Sequence, residues 1–353
     1  MTILDRYLSR AVIGGSLLVL MVLMALTAFV GLVGQFGNVG TGNYGISEAL
    51  LYVLLSLPRQ AVEMMPVAVL IGSLLALGTL ASQNELTVMR AAGMPIARIG
   101  RGAVFGGFLL AVACGLLGEW VAPQAERQAE QLRAQAMYQN VNILGRDGVW
   151  LRDGRQYINA RQARDAGQLE GLYIYEFADD QQLRRVTRAA RAVFDGESWQ
   201  LEGVRETRPG PDRISAEQLE RRDWETGIGP ELLSLVSVSP EMLGALGLRD
   251  YIRYLEQNNL DADQYRIAFW FKLVIPAALP VMVLLAMPFL FGSLRSSGAG
   301  QRLVVGLVIG IAFYLVNITL SNVGAIIAAP PFLIAWAPTL LLLGISLAVI
   351  RRL

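Results

Sequence analysis

The longest uncharged tract, residues 303–350, constrains the fold of this chain more than any other feature. Its 48 residues contain no charged side chain. A single straight helix of that length would measure about 72 Å, whereas the hydrocarbon core of a bilayer is roughly 30 Å thick. The tract must therefore fold back on itself, and we place the tip of this hairpin at Pro330-Pro331 because proline interrupts helices.

Four further tracts are apolar enough to enter hydrocarbon: residues 11–33, 51–81, 102–118 and 273–294. Together with the hairpin they predict six transmembrane helices. The composition agrees, since 54% hydrophobic residues and a mean hydropathy of +0.45 exceed the values of most soluble chains. The first tract is long and lacks a cleavage-type ending, so we expect a membrane span there rather than a signal peptide.

The placement of arginine predicts the orientation of these spans through the positive-inside rule. The loops on one side, residues 34–45 and 324–331, contain no charge. Arginines flank the other side, so we expect both chain termini and the loop between the second and third spans to face the cytoplasm. The arginines concerned are Arg6, Arg10, Arg90, Arg98, Arg101, Arg295, Arg302, Arg351 and Arg352.

Residues 122–265, between the third and fourth spans, have a different character. They hold 24 of the 29 acidic residues. Five runs alternate with a period near two: "GVWLRDG", "RQYINARQA", "LEGLYIYEFADD", "RRVTRAARAVFDG" and "SWQLEGVRET". This pattern predicts an antiparallel sandwich or open barrel of about 100 residues, facing the periplasm. We expect an entry helix over residues 123–138 and an exit helix from about Leu248 to Gln257. The predicted domains are residues 1–121, 122–265 and 266–353.

Several classes of catalytic site are excluded by the residues that the sequence lacks. There is no histidine, the one cysteine (Cys114) lies in an apolar run, and the one lysine (Lys272) is not part of a phosphate-binding loop. The acidic pair Asp179-Asp180 is interpreted as a hairpin turn. We therefore expect a protein that is not an enzyme, and nothing in the charge distribution indicates a nucleic-acid partner.

The second apolar tract contains two ionisable residues, Arg59 and Glu63, which lie four positions apart on one helical face. They are compatible with an ion pair that spares the membrane an isolated charge. They are equally compatible with a cationic group that meets an anionic substrate at the outer leaflet. The sequence leaves both interpretations open.

The cytoplasmic stretch "SQNELTVMRAAGM" predicts a bounded helix over residues 82–93. Ser82 and Glu85 have the spacing of a capping box, and Gly93 followed by Pro95 is typical of a helix stop. A helix of this length is too short to span a bilayer.

The same stretch has an apolar face, formed by Leu86, Met89 and Gly93 and flanked by Glu85 and Arg90. It is either a loop helix that lies on the membrane or a rigid element that engages a nucleotide-hydrolysing partner. Because the chain has no energy-converting site of its own, we favour the second interpretation.

Several longer motifs resemble the lipopolysaccharide export permease family, LptF/LptG, and the resemblance runs essentially from end to end. Two of these motifs, "LDRYL" and "EWVAPQ", favour the second of the two sister subunits. The motif "EWVAPQ" lies within "GEWVAPQAE", and the others are "NELTVMRAAGM", "RAQAMY", "YIRYLEQ" and "FWFKLVIPAALPVMVLLAMPFLFGSLRS".

This resemblance implies six transmembrane helices and a periplasmic β-jellyroll inserted between the third and fourth. It implies a heterodimer with an LptF-like permease, a dimeric LptB-like ATPase that holds ATP and magnesium, and an LptC-like bridge protein. The chain itself is then expected to bind no cofactor. The implied substrate is lipopolysaccharide, extracted from the outer leaflet of the inner membrane of a Gram-negative bacterium.

The resemblance also implies two sets of site residues. The segment that couples to the ATPase comprises Ser82, Glu85, Leu86, Met89, Arg90 and Gly93. Arg59 and Arg133 match positions that bind lipid phosphates in relatives, and Arg127 or Arg266 are possible substitutes for basic residues that are missing here. Those missing positions hold Gly31, Gly37, Asn38 and Glu130.

An alternative function is a membrane scaffold whose periplasmic β-domain only recruits partners and transports nothing. The two functions differ in whether the cytoplasmic segment must engage an ATPase.

Overall fold

Six helices in the described part of the chain are long and apolar enough to span a membrane. The computed structural model describes residues 3–137, 149–165, 167–178, 182–196, 198–209, 214–224, 226, 239–291, 299–324 and 329–352. The chain divides into two compact units. The first consists of Met1–Ala136, Pro240–Leu248 and Asp263–Leu353, and the second of Met137–Ser239 and Arg249–Ala262.

The helices follow the predicted apolar tracts and extend beyond most of them. Two shorter helices accompany the long ones: α3 lies between the second and third spans, and α6 precedes the fourth. The bounds are α1 Ile3–Gln35, α2 Ile46–Ser82, α3 Glu85–Ala91, α4 Ile96–Leu116, α5 Ala122–Met137, α6 Ala245–Gln257, α7 Asp263–Phe291, α8 Ala299–Val323 and α9 Pro331–Ile350.

The long uncharged tract is folded back as predicted. Helix α8 ends at Val323, and α9 begins at Pro331 with Pro330 as its N-cap residue. Proline is favoured in the first turn of a helix because its missing N–H would have no helical partner there. The hairpin prediction at Pro330-Pro331 is therefore confirmed.

The third span is longer than its apolar tract. Helix α4 continues through a single π-helical turn, Leu117–Val121, directly into α5. The predicted entry helix over residues 123–138 is thus the extension of the third span. This continuity places the charged face of α5 beside α2.

The core of the first unit lies between α2 and α7. Val69, Leu70 and Leu74 of α2 pack with Leu279 and Met282 of α7, and all five side chains are buried. The sequences of these two central helices are largely continuous apolar runs, because other helices surround them on most sides.

Helices α1 and α8 flank this core and expose large apolar side chains, such as Met21, Phe29, Val308 and Leu315. An exposed apolar surface of this extent is stable only against lipid or another protein chain. The close approach of α1 to α2 depends on glycine, because a Cβ atom added at Gly15 would lie 2.6 Å from the carbonyl oxygen of Gly72.

The second unit contains a six-stranded antiparallel sheet whose spatial order follows the sequence, β1 to β6. Each strand pairs antiparallel with the next strand in the sequence. The bounds are β1 Val149–Asp153, β2 Gln156–Asp165, β3 Gln168–Phe177, β4 Leu183–Phe194, β5 Trp199–Pro209 and β6 Ile214–Trp224.

Alternation along these strands gives the sheet one buried and one more exposed face. Leu151, Ile158 and Ile174 lie opposite one another on β1, β2 and β3, and all three are buried. Their neighbours Trp150 and Tyr157 point to the other face and are exposed.

The predicted fold class, six transmembrane helices with an inserted all-β domain, is confirmed. The five alternating runs correspond to β1–β5, and the exit helix is α6. Strand β6 was not predicted, and the turn expected at Asp179-Asp180 lies outside the described residues. The helix predicted over residues 82–93 is shorter than expected, since it spans Glu85–Ala91.

Candidate functional site

The segment between the second and third spans contains a helix of two turns, α3. Its N-cap residue is Asn84, whose carbonyl accepts the first helical bond from the backbone N–H of Val88 at 2.9 Å. Asn84 has a φ of 63°, a left-handed conformation that asparagine tolerates better than most residues. Gln83 and Asn84 thus form a tight turn between α2 and α3.

The predicted capping box of Ser82 and Glu85 is wrong. Ser82 is the last residue of α2, and its hydroxyl donates to the carbonyl oxygen of Thr79 at 2.8 Å. Helix α2 continues to Ser82, one residue beyond the predicted apolar tract, so the serine lies at the end of one helix instead of at the start of the next.

The carboxylate of Glu85 is bound to the first membrane helix. The hydroxyl of Tyr7 donates to Glu85 Oε2 at 2.8 Å, across 78 positions of sequence. This bond links the beginning of α1 to the beginning of α3.

The apolar face of α3 is directed into the chain's own core. Leu86 is 3% exposed, and Met89 packs against the same cluster of buried residues. Arg90 lies over the ring of Phe291, with 5.9 Å between the guanidinium carbon and the ring centroid. The outward surface instead presents Val88, which is 66% exposed.

The C-terminal end of α3 is formed by Gly93, followed by Pro95, as the sequence predicted. Gly93 has a φ of 84°, its N–H donates to the carbonyl of Arg90, and the N–H of Met94 donates to that of Met89. These two bonds are the pair that defines a Schellman motif. Pro95 then serves as the N-cap residue of α4.

The second set of candidate residues lies where α2 and α5 face each other. Arg59 on α2 forms ion pairs with Glu63 at 3.2 Å and with Glu126 on α5 at 3.4 Å. Glu126 is only 6% exposed, and its second oxygen has no hydrogen-bond partner among the described residues. Arg59 is therefore held by two carboxylates.

Arg133 lies about two turns beyond Glu126 on the same face of α5. It pairs with Glu130 at 3.8 Å, and its guanidinium lies 5.4 Å from the ring centroid of Tyr52. The Tyr52 hydroxyl donates to Glu130 at 3.0 Å. We call these six residues the polar seam: Tyr52, Arg59 and Glu63 on α2, with Glu126, Glu130 and Arg133 on α5.

The other two candidate arginines contact residues outside the polar seam. Arg127 donates through Nε to the carbonyl oxygen of Met242 at 2.8 Å. Arg266 pairs with Asp263 on its own helix at 2.9 Å.

The polar seam contains two guanidinium groups and three carboxylates, so its formal charge is −1. An anionic ligand at Arg59 or Arg133 must share these guanidinium groups with carboxylates that already contact them. Within the described ranges no group of three or more potential metal ligands is present.

Sequence reasoning did not identify Tyr7, Tyr52 or Glu126. Glu126, Glu130 and Arg133 are spaced by four and three residues, and this helical spacing was a signal for the α5 side of the polar seam. No local pattern connects Tyr7 with Glu85, because the two residues meet only through the packing of α1.

Comparisons with known proteins agree with this architecture. The family model "Lipopolysaccharide export system permease LptF/LptG" matches residues 6–352. The permease protein LptG of Haemophilus influenzae is 35% identical over 340 residues, covering 96% of this chain and 95% of the relative. LptG of Escherichia coli strain K12 is 33% identical over 353 residues, covering 99% and 98%. The chain therefore belongs to the LptF/LptG family of lipopolysaccharide export permeases.

Proposed function

We propose that this chain is the transmembrane subunit of an ATP-driven transporter that extracts lipopolysaccharide from the outer leaflet of the inner membrane. In this proposal it pairs with an LptF-like permease and contacts a dimeric LptB-like ATPase, which holds ATP and magnesium. The lipid then passes to an LptC-like periplasmic protein with a jellyroll fold. The two relatives named LptG, which align over almost their whole lengths, support this assignment.

The anchoring of α3 is the observation that carries the proposal. A segment that transmits movement from an ATPase must be exposed to the partner and rigidly joined to the membrane helices. Leu86 is buried in the core, Tyr7 bonds Glu85, and the Schellman motif fixes the far end. A loop helix that merely rests on the membrane needs none of these three attachments.

The orientation follows from the arginine pattern of the sequence. We propose that α3 and both termini face the cytoplasm and that the six-stranded sheet lies in the periplasm. The polar seam would then lie towards the outer leaflet, at the level where lipid phosphates enter. Arg59 and Arg133 are its cationic groups, and we assign phosphate contact to them.

Co-purification with the ATPase tests the coupling role of α3. Val88→Asp places a charge on the outward surface without disturbing the core, and we expect it to reduce the amount of ATPase that co-purifies. Leu246→Asp is the matched control, since Leu246 is a similarly exposed apolar residue at 71% on α6.

Retention of a fully active ATPase by Val88→Asp would remove the support for coupling. It would favour the alternative function, a scaffold whose β-domain recruits partners. Loss in both variants would indicate a general defect of membrane insertion, which protease resistance of the assembled chain distinguishes from a specific loss of docking.

A further inference from the structure

A buried arginine lies near the beginning of α8, the fifth of the six spans. Arg302 is 4% exposed, and its Nη1 donates to the backbone carbonyl oxygen of Gly78 in α2. An arginine that only orients the chain extends to the lipid headgroups or to water, as long basic side chains near span ends do. The burial of Arg302 therefore indicates a second task inside the unit.

The backbone of α2 leaves room for this side chain. A Cβ atom added at Gly78 would lie 2.5 Å from Nη1 and 2.9 Å from Cδ of Arg302. A residue larger than glycine at this position would therefore displace the guanidinium from the carbonyl that it binds. Burial of a charged group is costly unless hydrogen bonds compensate it, so the arginine depends on the glycine.

The face of α8 that carries Arg302 continues with two glycines. Gly306 and Gly310 follow at intervals of four residues, which places all three on one side of the helix. Cβ atoms added at these glycines would lie 2.8 Å from Leu74 Cδ1 and 2.8 Å from Val67 Cγ1 of α2. Small residues let membrane helices approach closely. Helix α8 is thus joined to α2 along one stripe that begins at Arg302.

The opposite side of α8 presents exposed apolar residues, among them Val304, Val308 and Leu315. Within the first unit, α8 packs mainly against α2. Helix α2 is therefore the main connection through which the rest of the unit can move α8.

The carbonyl that Arg302 binds lies close to the segment that we assign to the ATPase. Gly78 is about one turn before Ser82, the last residue of α2, and α3 begins three residues later. The turn between the two helices is tight, because the N–H of Gln83 donates to the carbonyl oxygen of Thr79 at 3.0 Å. A displacement of α3 is thus passed to this end of α2 over a short, hydrogen-bonded path.

We propose that Arg302 is a positioning residue for coupled transport. It fastens the beginning of α8 to the end of α2 that adjoins α3, so that α8 moves when the ATPase displaces α3. A hydrogen bond from a guanidinium is stronger and more directional than the apolar contacts along the rest of the stripe. This inference rests on the proposed function for the ATPase, and it extends that function by naming the contact through which the movement reaches α8.

Transport and ATP hydrolysis by the assembled complex test this role. Arg302→Met keeps an unbranched side chain and removes its donors. We expect ATP hydrolysis to continue while the lipid transported per ATP hydrolysed falls at least about threefold, because the bond that positions α8 is lost. Arg302→Lys keeps a charge and donors and should lose less. A purely structural defect would lower hydrolysis and transport together and leave their ratio unchanged.

Gly78→Ala tests the same contact from the side of α2. The atoms that its Cβ would meet belong to a flexible side chain, so the guanidinium should be displaced with little loss of thermal stability. We expect the transport ratio to fall as in Arg302→Met. Gly78→Ala added to Arg302→Ala should cause no further loss, because neither the bond nor the clash remains in that background.

Two control variants accompany these substitutions. Gly344→Ala changes a helical glycine whose added Cβ would meet no atom within 4 Å. Arg351→Met removes the positive charge of an exposed arginine at the end of α9. Both should keep the wild-type ratio of lipid transported to ATP hydrolysed.

An unchanged ratio in Arg302→Met and Gly78→Ala would overturn the role of Arg302, and so would an equal loss in Arg351→Met. If Arg302→Met does not assemble, Gly78→Ala alone decides. A wild-type complex that transports lipid, with variants that remain fully coupled, overturns the role of Arg302 only. A wild-type complex without ATP-dependent transport overturns the proposed function itself.

Discussion

At the scale of single residues, the hydroxyl of Tyr7 ties the first membrane helix to the segment that we assign to the ATPase. Its acceptor, Glu85, does not form a capping box with Ser82, because the Ser82 hydroxyl donates to the carbonyl oxygen of Thr79. Glu85 therefore has two possible tasks: it accepts the bond from Tyr7, and its charge is available to a basic group of the ATPase. Substitutions that preserve one task and remove the other separate them.

Three substitutions make this separation. Glu85→Gln keeps an oxygen that accepts from Tyr7 but removes the charge, Glu85→Ala removes both, and Tyr7→Phe removes only the donor. If the link to α1 matters, Tyr7→Phe and Glu85→Ala should both lower the lipid transported per ATP hydrolysed, while Glu85→Gln should resemble the wild type. The measurement is transport and ATP hydrolysis by the assembled complex.

A different pattern would assign the charge to the ATPase instead. In that case Glu85→Gln would lower the amount of co-purified ATPase as much as Glu85→Ala does, and Tyr7→Phe would have no effect. The bond from Tyr7 would then have no role in coupling.

Arg59 is the second residue whose environment makes a quantitative prediction. Arg59→Gln leaves Glu63 and Glu126 without their shared cation. We expect a loss of about 2 kcal/mol in the free energy of unfolding, less than for a fully buried pair because the Arg59 side chain is 35% exposed. Glu126→Gln should cost less than about 1 kcal/mol, because Arg59 keeps Glu63. Thermal unfolding in detergent measures both.

Lipid crosslinking distinguishes a phosphate contact from a purely structural ion pair. If Arg59 binds a lipid phosphate, Glu126→Gln should increase crosslinking to lipopolysaccharide, because it removes a competing carboxylate, and Arg59→Gln should decrease it. Equal crosslinking in both variants would leave Arg59 as an ion pair that spares the membrane a charge.

At the scale of elements, the stop of α3 depends on the left-handed conformation of Gly93. A residue with a Cβ atom at a φ of 84° costs about 1–2 kcal/mol. We expect Gly93→Ala to lower the thermal stability of the chain and its coupled ATP hydrolysis, and Gly93→Asn to have a smaller effect.

Gly344→Ala provides the matched control for this prediction. Gly344 lies within α9, and an added Cβ atom would meet no atom within 4 Å. The substitution should be neutral or slightly stabilising, since alanine favours helices. Equal losses in Gly93→Ala and Gly344→Ala would contradict a specific requirement at the end of α3.

The elements predicted from the sequence are those with a strong pattern of apolar residues or with clear helix-breaking and turn residues at their ends. The six spans, the proline hairpin and strands β1–β5 all have such signals. Strand β6 lacks them, because it pairs on one side only among the described strands and most of its side chains are exposed, so its apolar residues do not alternate. The start of α3 was misplaced because a capping pattern cannot show that α2 continues to Ser82.

The candidate site was predictable only in part for the same reason. Arg59 and Glu63 were found by helical spacing, which acts within one element. Glu126 and Tyr7 meet their partners across elements, and tertiary packing that brings distant helices together leaves no local pattern in the sequence.

At the scale of the whole molecule, the account depends on the orientation of the chain. A cysteine introduced at Arg184, which is exposed in the sheet, should react with a membrane-impermeant reagent added to the periplasm. A cysteine at Val88 should react only after the inner membrane is opened. The native Cys114 is buried, and the unmodified chain provides the background labelling. The reverse pattern would overturn the assignment of α3 to the ATPase and of the sheet to the periplasm.

ATP-dependent transfer of lipopolysaccharide is the most direct test of the central claim. The chain is reconstituted into proteoliposomes with its LptF-like, LptB-like and LptC-like partners, and transfer to the LptC-like protein is followed by crosslinking. We expect transfer that requires ATP, is lost in Val88→Asp and is retained in Leu246→Asp. Transfer that proceeds equally without ATP, or equally in Val88→Asp, would contradict ATP-driven extraction through this chain.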